Sequence, residues 1–416
     1  MMGRRIVILG AGFGGLFTAL ELDRRLRKET GLEIRLLDAR NFHLFSPMLH
    51  EVTSGIIEPR HVVWPIRALS GKTRLTFETR EVRSIDLENR RVLTDHGDVG
   101  YDVLVIALGS VTNYFGVSGA EEKAFTFKTL KDAVMLKNHI LEMFERADLE
   151  RDPSKRRRLL TFTLVGAGCT GVELATEIHD LARKALARHY PHLDVREVRV
   201  VVAEATGRII PCVSDQLANR GLEKLKQKGI DVRLYSPVVR VSDGAVELAN
   251  GDILTTETVI WTAGVKANPI VEALPVDKDK LGRVVVDEYL ETPAFPGVVA
   301  IGDCAHCWDA RLNAALPPTA QVAIQQAHCV ADNIMRGLRG EGKQPFVYRH
   351  RGDLVSLGAG DGVGEIAGMA FSGLPAWLLW RSVFLVKLFG WKNRIRVALD
   401  WIISSLFQRD LAKLDW

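Results

Sequence analysis

The sequence predicts an α/β fold built from two doubly wound, parallel-sheet domains of one design, followed by an amphipathic helical tail. Three observations predict it. A glycine-rich turn at Gly10, Gly12 and Gly15 returns at Gly166, Gly168 and Gly171. An apolar run, Val103 to Leu108 ending in Gly109, returns as Thr258 to Ala263 ending in Gly264. Gly10 to Gly166 is a shift of 156 residues and Gly109 to Gly264 one of 155, so two unrelated motifs recur at nearly one offset and imply a duplicated domain. Finally, the segment from Pro375 onward holds seven basic and three acidic residues and five of the eight tryptophans, a composition unlike the rest.

Composition narrows the classes. With 416 residues, 47% hydrophobic and 25% charged, the chain reads as a folded protein of two or three domains. Disorder, collagen-like repeats and a disulfide scaffold are excluded. The net charge of +4 is that of the tail alone and is too small to argue for nucleic acid as a partner. Five cysteines, an odd and sparse set, suit a reducing compartment. Arg4, Arg5 and the apolar run to Leu9 do not read as a secretory signal, because glycines interrupt the run and Glu21, Asp23 and Arg24 close it. No run of 18 apolar residues occurs, so no membrane-spanning helix is expected. A cytosolic protein is expected, unless the tail holds it on a membrane.

Along the chain, Arg4 to Leu9 reads as a short buried strand and Leu16 to Leu26 has helical spacing. Glu33 to Leu37 is a second strand, closed by Asp38. Strand, glycine turn, helix, strand and acid make up a dinucleotide-binding βαβ unit. Gly10 permits the tight turn, Gly12 lets backbone approach a pyrophosphate, and Gly15 lets helix pack on strand. Asp38 stands where ribose hydroxyls are accepted. In the second unit Leu159 to Val165, the helix through Leu174, Ile178 and Leu181, and Val198 to Ala203 repeat the order, with Glu204 in the place of Asp38. The charged stretch Arg151 to Arg158 around Pro153 reads as an exposed linker. Val298 to Ile301, ending in Gly302 and Asp303, returns the chain to one of the two nucleotide domains. A helix from Thr319 to Met335 follows Pro317 and Pro318, with Thr319 as its cap and Gln321 and Gln325 on one face. The expected organisation is a first nucleotide domain in residues 1–120 and 266–345, a second nucleotide domain in 121–265, and a tail in 346–416.

Several residues point to chemistry. A negative Glu204 repels a 2′-phosphate, favouring NADH over NADPH. Glu173, two residues after Gly171, is read either as a cap for its helix or as a ligand for a carboxamide. His43 and His50 are read as histidines satisfied locally. Cys304 and Cys307 form a C-x-x-C, but it follows a strand end and lacks the second pair that zinc requires. No metal is expected.

The motifs at Phe13 to Leu16 (FGGL), Asn41 to Gly55 (NFHLFSPMLHEVTSG), Gly166 to Glu177 (GAGCTGVELATE), Ala300 to Ala305 (AIGDCA) and Pro317 to Ala327 (PPTAQVAIQQA) resemble the type II NADH:quinone oxidoreductases. The resemblance continues through Ser372 to Trp380 and Lys392 to Trp401. It implies a glutathione-reductase-like flavoprotein fold, non-covalent FAD, NADH, a quinone and no proton pumping. By that resemblance FAD contacts fall on Gly10, Gly12, Phe13, Gly14, Gly15, Asp38, Ala39, Arg40, Asn41, His43, Val82, Ala107, Gly109, Asp303, Ala320 and Gln321. NADH contacts fall on Gly166, Gly168, Thr170, Gly171, Glu173, Glu204, Ala263 and Gly264. Glu173, Gln321 and Gln325 are the implied catalytic residues, the glutamines beside the quinone headgroup. The chain departs from the pattern at Phe384, where many members carry histidine, and at Gly360 to Gly362, in a stretch that often contains lysine.

Trp377, Trp380, Phe384, Leu388 and Trp391 fall at helical steps as one aromatic stripe, and Ile395, Leu399, Ile402, Ile403 and Leu406 form a second apolar face. Flanked by Arg381, Lys387, Lys392, Arg394 and Arg396, residues 375–408 read as an amphipathic foot on the cytoplasmic face of a membrane. A helical hairpin packed on the body, or on a second copy in a homodimer, is the other reading. Two rival functions stand. One is sulfide:quinone oxidoreduction, using Cys169 with Cys304 or Cys307. The other is a non-catalytic redox sensor that binds NADH. Disulfide reduction is excluded, because no cysteine precedes Cys169.

Overall fold

The computed structural model describes residues 4–26, 32–69 and 75–413; Asp415 and Trp416 of the tail lie outside the described residues. The chain forms two compact units. The first comprises the residues up to His43, Trp64–Val111 and Val265–His350; the second comprises Leu44–Val63, Thr112–Gly264 and the chain from Arg351 onward. This differs from the expected partition in two ways. The segment Leu44–Val63 leaves the first unit, and the tail shares the second nucleotide unit instead of standing apart.

In the first unit, Arg4–Leu9 is the central strand of a five-stranded sheet ordered Val298–Ala300, Val103–Ile106, Arg4–Leu9, Leu32–Asp38, Leu75–Thr79. Every pairing is parallel. Such a strand is covered on both faces, which is why Ile6 to Leu9 are all apolar and wholly buried. The expected return of the chain at Val298 is observed beside Val103–Ile106. The first helix spans Phe13–Arg25 and so begins three residues before the leucine periodicity does, because Gly14 and Gly15 in its first turn have no side chain to mark a face. It packs with the helix Ala320–Leu338, where Arg25 pairs with Asp332 at 2.5 Å. Thr319 caps that second helix by accepting from the Val322 amide.

The second unit repeats the design with the order Phe125–Thr126, Thr258–Trp261, Thr161–Val165, Arg199–Ala203, Asp231–Arg233, again all parallel. Arg151 to Arg158 is not a linker: Pro153–Leu159 is a helix. Asp152 accepts from the Ser154 and Lys155 amides and Pro153 occupies the first turn, which together start a helix despite the run of like charges.

The tail opens with an antiparallel sheet, Asp353–Ser356, Gly362–Ile366 and Met369–Ser372, and continues as helices Leu374–Lys387 and Trp391–Leu406. Gly390, at φ 83°, makes the corner between them. The aromatic stripe does not face outward as expected. Trp380 is wholly buried, Leu388 nearly so, and the Phe384 ring lies against Trp380, tilted by 34° at 4.7 Å between ring centres. The second apolar face, Ile395, Leu399, Ile402, Ile403 and Leu406, is outward as expected, and Trp391 of the stripe is exposed with Leu378 and Val386. Arg381 also turns inward, lying over the Trp377 and Trp401 rings at 4.1 and 4.5 Å and reaching Glu51. Asp400 accepts from His61 at 2.5 Å, and the Asn393 amide donates to the Val63 carbonyl. These contacts hold the segment Leu44–Val63 and the tail in one unit.

The turn of the second βαβ unit generates a stability prediction. A Cβ on Gly171 would stand 2.0 Å from the Gly166 carbonyl oxygen, whereas one on Gly168 meets nothing within 4 Å. Gly171→Ala should therefore cost about 3 kcal/mol or more by denaturant unfolding. Gly168→Ala should cost no more than about 1 kcal/mol, the loss of a glycine N-cap. Equal stabilities for the two variants would show that the strand–helix contact is not what demands glycine.

Candidate functional site

Each βαβ unit builds the same cradle. In the first, the Gly10 amide donates to the Leu37 carbonyl at 2.7 Å, and Asp38 accepts from the Ala11 amide at 2.7 Å and the Arg40 amide at 2.7 Å. Gly10 has φ 92°, and a Cβ there would lie 2.3 Å from the Ala107 carbonyl oxygen. A Cβ on Gly12 or Gly109 meets nothing within 4 Å, so both glycines face open space at the carboxyl ends of neighbouring strands. Gly12 is the N-cap and offers no side chain to the first-turn amides. First-turn amides without a side-chain cap, a helix N-terminus and open space fit the phosphates of a dinucleotide such as FAD.

The second unit matches it atom for atom. Gly166 donates to the Ala203 carbonyl at 2.8 Å, and Glu204 accepts from the Ala167 amide at 2.7 Å. Its other oxygen accepts from the Thr206 amide and hydroxyl, both at 2.8 Å. Gly168 is the uncapped N-cap of the helix Cys169–Asp180, and Thr170 is exposed on its first turn. Ala263 backbone stops any side chain at Gly166, and Gly264 accepts from the Asn113 amide and lies beside the Phe115 ring. This cradle fits a second dinucleotide.

The other expected FAD residues spread around the first cradle. Ala39, Arg40 and Asn41 are exposed just after Asp38. His43 is buried, its Nδ1 sharing a 2.9 Å hydrogen bond with the Ala11 carbonyl and its ring edge-on to Phe13, so it is satisfied locally as expected. Ala107 donates to the Leu9 carbonyl, and Val82 begins a separate antiparallel strand, Val82–Asp86. Asp303 accepts from the Ser110 hydroxyl at 2.5 Å. Ala320 and Gln321 open the helix Ala320–Leu338 and are half-buried.

Gln325 is placed otherwise than its expected role requires. Its amide nitrogen donates to the Arg349 carbonyl and its oxygen accepts from the Arg349 amide, at 2.9 and 3.0 Å, so both ends are engaged by backbone. Its neighbour Gln326, which the sequence reading passed over, is buried and accepts from the Gly302 amide at 2.7 Å, setting the turn that carries Asp303. Its sequence signal is only a polar residue on the apolar face of that helix.

Glu173 lies in the second turn of its helix and is not a capping acid. It is 9% exposed; one oxygen, Oε1, accepts from the Ser356 amide at 3.1 Å and the Trp380 indole at 3.0 Å. Burial pushes its carboxyl up to about 8 against the pull of those two donors. Oε2 stands 3.8 Å from His50 Nδ1. Burial, reinforced by Arg381, pushes His50 down to about 3, so the contact joins a neutral imidazole and a protonated acid and is not an ion pair. His50 Nε2 has no hydrogen-bond partner in the structure. Beside this pair, Glu51 accepts from the Trp401 indole at 2.8 Å, and burial pushes it up to about 7 with Arg381 pulling the other way. Glu177 pairs with Arg409 at 3.4 Å. Neither Trp380 nor Arg381 was read from sequence as part of this cluster.

Two such cradles on two parallel sheets define a two-dinucleotide oxidoreductase. Residues 4–327 match the pyridine nucleotide-disulphide oxidoreductase family, and residues 350–410 match the NDH2 C-terminal domain. The chain is 34% identical over 421 residues to the type II NADH:quinone oxidoreductase Ndh of Mycobacterium tuberculosis, covering 97% of this chain and 89% of that one. It is 33% identical over 383 residues to the type II NADH:quinone oxidoreductase of Staphylococcus epidermidis, covering 91% and 94%. A structure of NDH2 from Plasmodium falciparum in complex with NADH superposes with a TM-score of 0.90 at 19% identity, covering 99% of this chain and all of that one. The chain belongs to the type II NADH:quinone oxidoreductase family, whose cofactors are FAD and NADH.

The buried acid predicts a pH dependence. A carboxyl raised from its ordinary value to about 8 stabilises the fold fully below the unfolded value, and that stability is lost as pH rises toward 8. Glu173→Gln keeps an acceptor for Trp380 and Ser356 and cannot ionise. Its melting temperature should gain on the parent's between about pH 5 and about pH 9. A constant difference across that range would mean Glu173 ionises freely in the fold.

Proposed function

We propose that the first cradle holds FAD, the second holds NADH, and the protein reduces a membrane quinone as a peripheral enzyme. The single observation that carries the assignment of the two sites is the doubled glycine cradle with an acid at each strand end. Bound FAD supplies the acceptor for the hydride of NADH and the donor of two electrons to the quinone.

The chain's own groups then divide the work. The amides after Gly12 and Gly168 meet pyrophosphates, while Asp38 and Glu204 keep lone pairs free for ribose hydroxyls beyond those given to Ala11 and Ala167. Glu204 brings a negative charge to the position a 2′-phosphate would need, which selects NADH. Glu173 holds a proton at Oε2, the oxygen not committed to Trp380 and Ser356. Gln321, in the first turn of the helix Ala320–Leu338, is the glutamine proposed for the quinone. Sulfide chemistry fits poorly: Cys304 and Cys307 are buried, and the Cys169 sulfur is in contact with that of Cys212.

The outward row from Leu378 to Leu406 is proposed as the membrane surface, with Lys392, Arg394 and Arg396 beside it. Among the described residues no helix is long and apolar enough to cross a membrane. Cysteines that are all unpaired suit the cytoplasmic face. A homodimer through the same row is the competing occupant.

Two experiments test these assignments. Glu204→Gln removes the charge and keeps an acceptor for the Ala167 amide. The ratio of kcat/KM for NADH over NADPH should fall roughly tenfold with FAD content unchanged. An unaltered ratio would remove Glu204 from the ribose site. For the tail, Trp391, Ile395 and Ile402 together changed to serine should lower binding to anionic liposomes by about a hundredfold, corresponding to about 3 kcal/mol of lost apolar burial. Co-sedimentation equal to the parent's would defeat the membrane assignment; a shift from dimer to monomer with no change in liposome binding would assign the row to a second copy.

A further inference from the structure

The second cradle carries a pair of thiols that the hydride chemistry does not use. Cys169 is the first residue of the helix Cys169–Asp180, directly after the N-cap Gly168. Cys212 lies on the loop that leaves the strand Arg199–Ala203 and enters the helix Asp215–Lys228. Both are free, and their sulfurs are 2.6 Å apart although 43 residues separate them in sequence. That is inside ordinary contact for two sulfurs, and a disulfide, at about 2.05 Å, is the bond such a pair can form.

The loop lies across the glycine turn. The Ile210 amide donates to the Ala167 carbonyl at 2.8 Å, on the residue whose own amide is held by Glu204. Ile210 has φ 47°, a left-handed conformation rare for a β-branched residue, so this crossing is enforced by its surroundings. Arg208 secures the loop by donating to the Val213 carbonyl and pairing with Asp215 at 2.6 Å. Access differs between the sulfurs. Cys212 is exposed and Cys169 half-buried, and contact with Cys212, then burial, pushes the Cys169 thiol up. Cys212 is therefore the thiol that meets a reagent first.

We propose that Cys169 and Cys212 form a reversible disulfide with a low-molecular-weight disulfide as oxidant, and that the oxidised form binds NADH more weakly. This rests on the assignment of NADH to the second cradle. The Cys212 thiolate attacks one sulfur of the oxidant and expels one thiolate. The Cys169 thiolate then attacks the Cys212 sulfur and expels the second. Two protein thiols lose two protons and two electrons, and one disulfide is reduced to two thiols. The new bond ties the first residue of the helix to the loop above it. Cys212 is then held against the first turn of that helix, whose amides the pyrophosphate must approach.

The test uses full-length, FAD-loaded protein, with oxidised glutathione as the probe. Turnover of untreated enzyme with NADH and a soluble quinone is measured first. After oxidation, peptide mass mapping should find Cys169 linked to Cys212. KM for NADH should rise roughly tenfold, as when the binding-competent population falls to about a tenth, with kcat within about twofold. Dithiothreitol should restore the parent value. Cys212→Ser should match the untreated parent and ignore oxidised glutathione. Active enzyme without the cross-link, glutathione retained on Cys212 alone, or a cross-link that leaves KM unchanged would overturn the proposal. Untreated enzyme that does not oxidise NADH would instead overturn the functional reading, while the mapping still decides whether the two thiols join.

Discussion

One buried carboxyl group, that of Glu173, joins the helix of the second cradle to the tail, and much of the second unit is arranged around it. An acid buried among Trp380, Ser356 and His50 is costly unless it is neutral or hydrogen-bonded, and Glu173 meets both conditions. The two donors on Oε1 fix the tail helix at Trp380 and the tail sheet at Ser356. Glu51 repeats the device one step away, with the Trp401 indole from the second tail helix and Arg381 from the first. Each long tail helix thus delivers one indole N–H to one buried acid. The tail is therefore part of the second unit and not an appendage to it.

The same economy governs the cradles. A strand can hand over to a helix within a few residues only if backbone touches backbone, as Gly15 does Gly10 and Gly171 does Gly166. The turn also needs its amides held, and the strand-end acids do this for Ala11 and Ala167. Asp38 and Glu204 accordingly shape the turn as well as facing the ribose position. An acceptor at that point is thus required by the turn itself, and where the acceptor is an acid its charge acts on cofactor choice as a second consequence. This is why alanine at Glu204 would confuse two effects that glutamine separates.

What was legible in the sequence was what rests on local rules. Continuous apolar runs located the central strands to within a residue or two, because strands buried on both faces have no polar alternation. Spaced glycines located both turns, and the shared offset revealed the duplication. Three things were not legible. The helix at Pro153–Leu159 was hidden by its charges, although Asp152 and Pro153 announced it. In the first tail helix, periodicity showed an apolar stripe without showing that it faces inward, since tryptophan suits a core and a membrane interface alike. The cluster of Glu173, His50 and Glu51 depends on partners more than 200 residues away, Trp380 and Trp401 among them, and no local pattern encodes that pairing.

The inward turn of the tryptophans sharpens the case for what the outer row does. Trp380 and Trp401 satisfy their indole N–H groups on buried acids, and their rings fill the space beneath the tail. Fold stability therefore makes no demand on Ile395, Leu399, Ile402, Ile403 and Leu406, which leave at least half of their surface in solvent along one side of one helix. A run of this kind costs solubility and returns nothing to the isolated fold. Trp391, at the start of the same helix, is 75% exposed and has the Arg394 guanidinium over its ring. An exposed tryptophan beside a cation, continued by branched aliphatics, has the chemistry of a bilayer interface, where the ring sits at headgroup depth and the aliphatics below it. The proposed membrane role thus rests on the one face of the tail that the fold itself leaves unused.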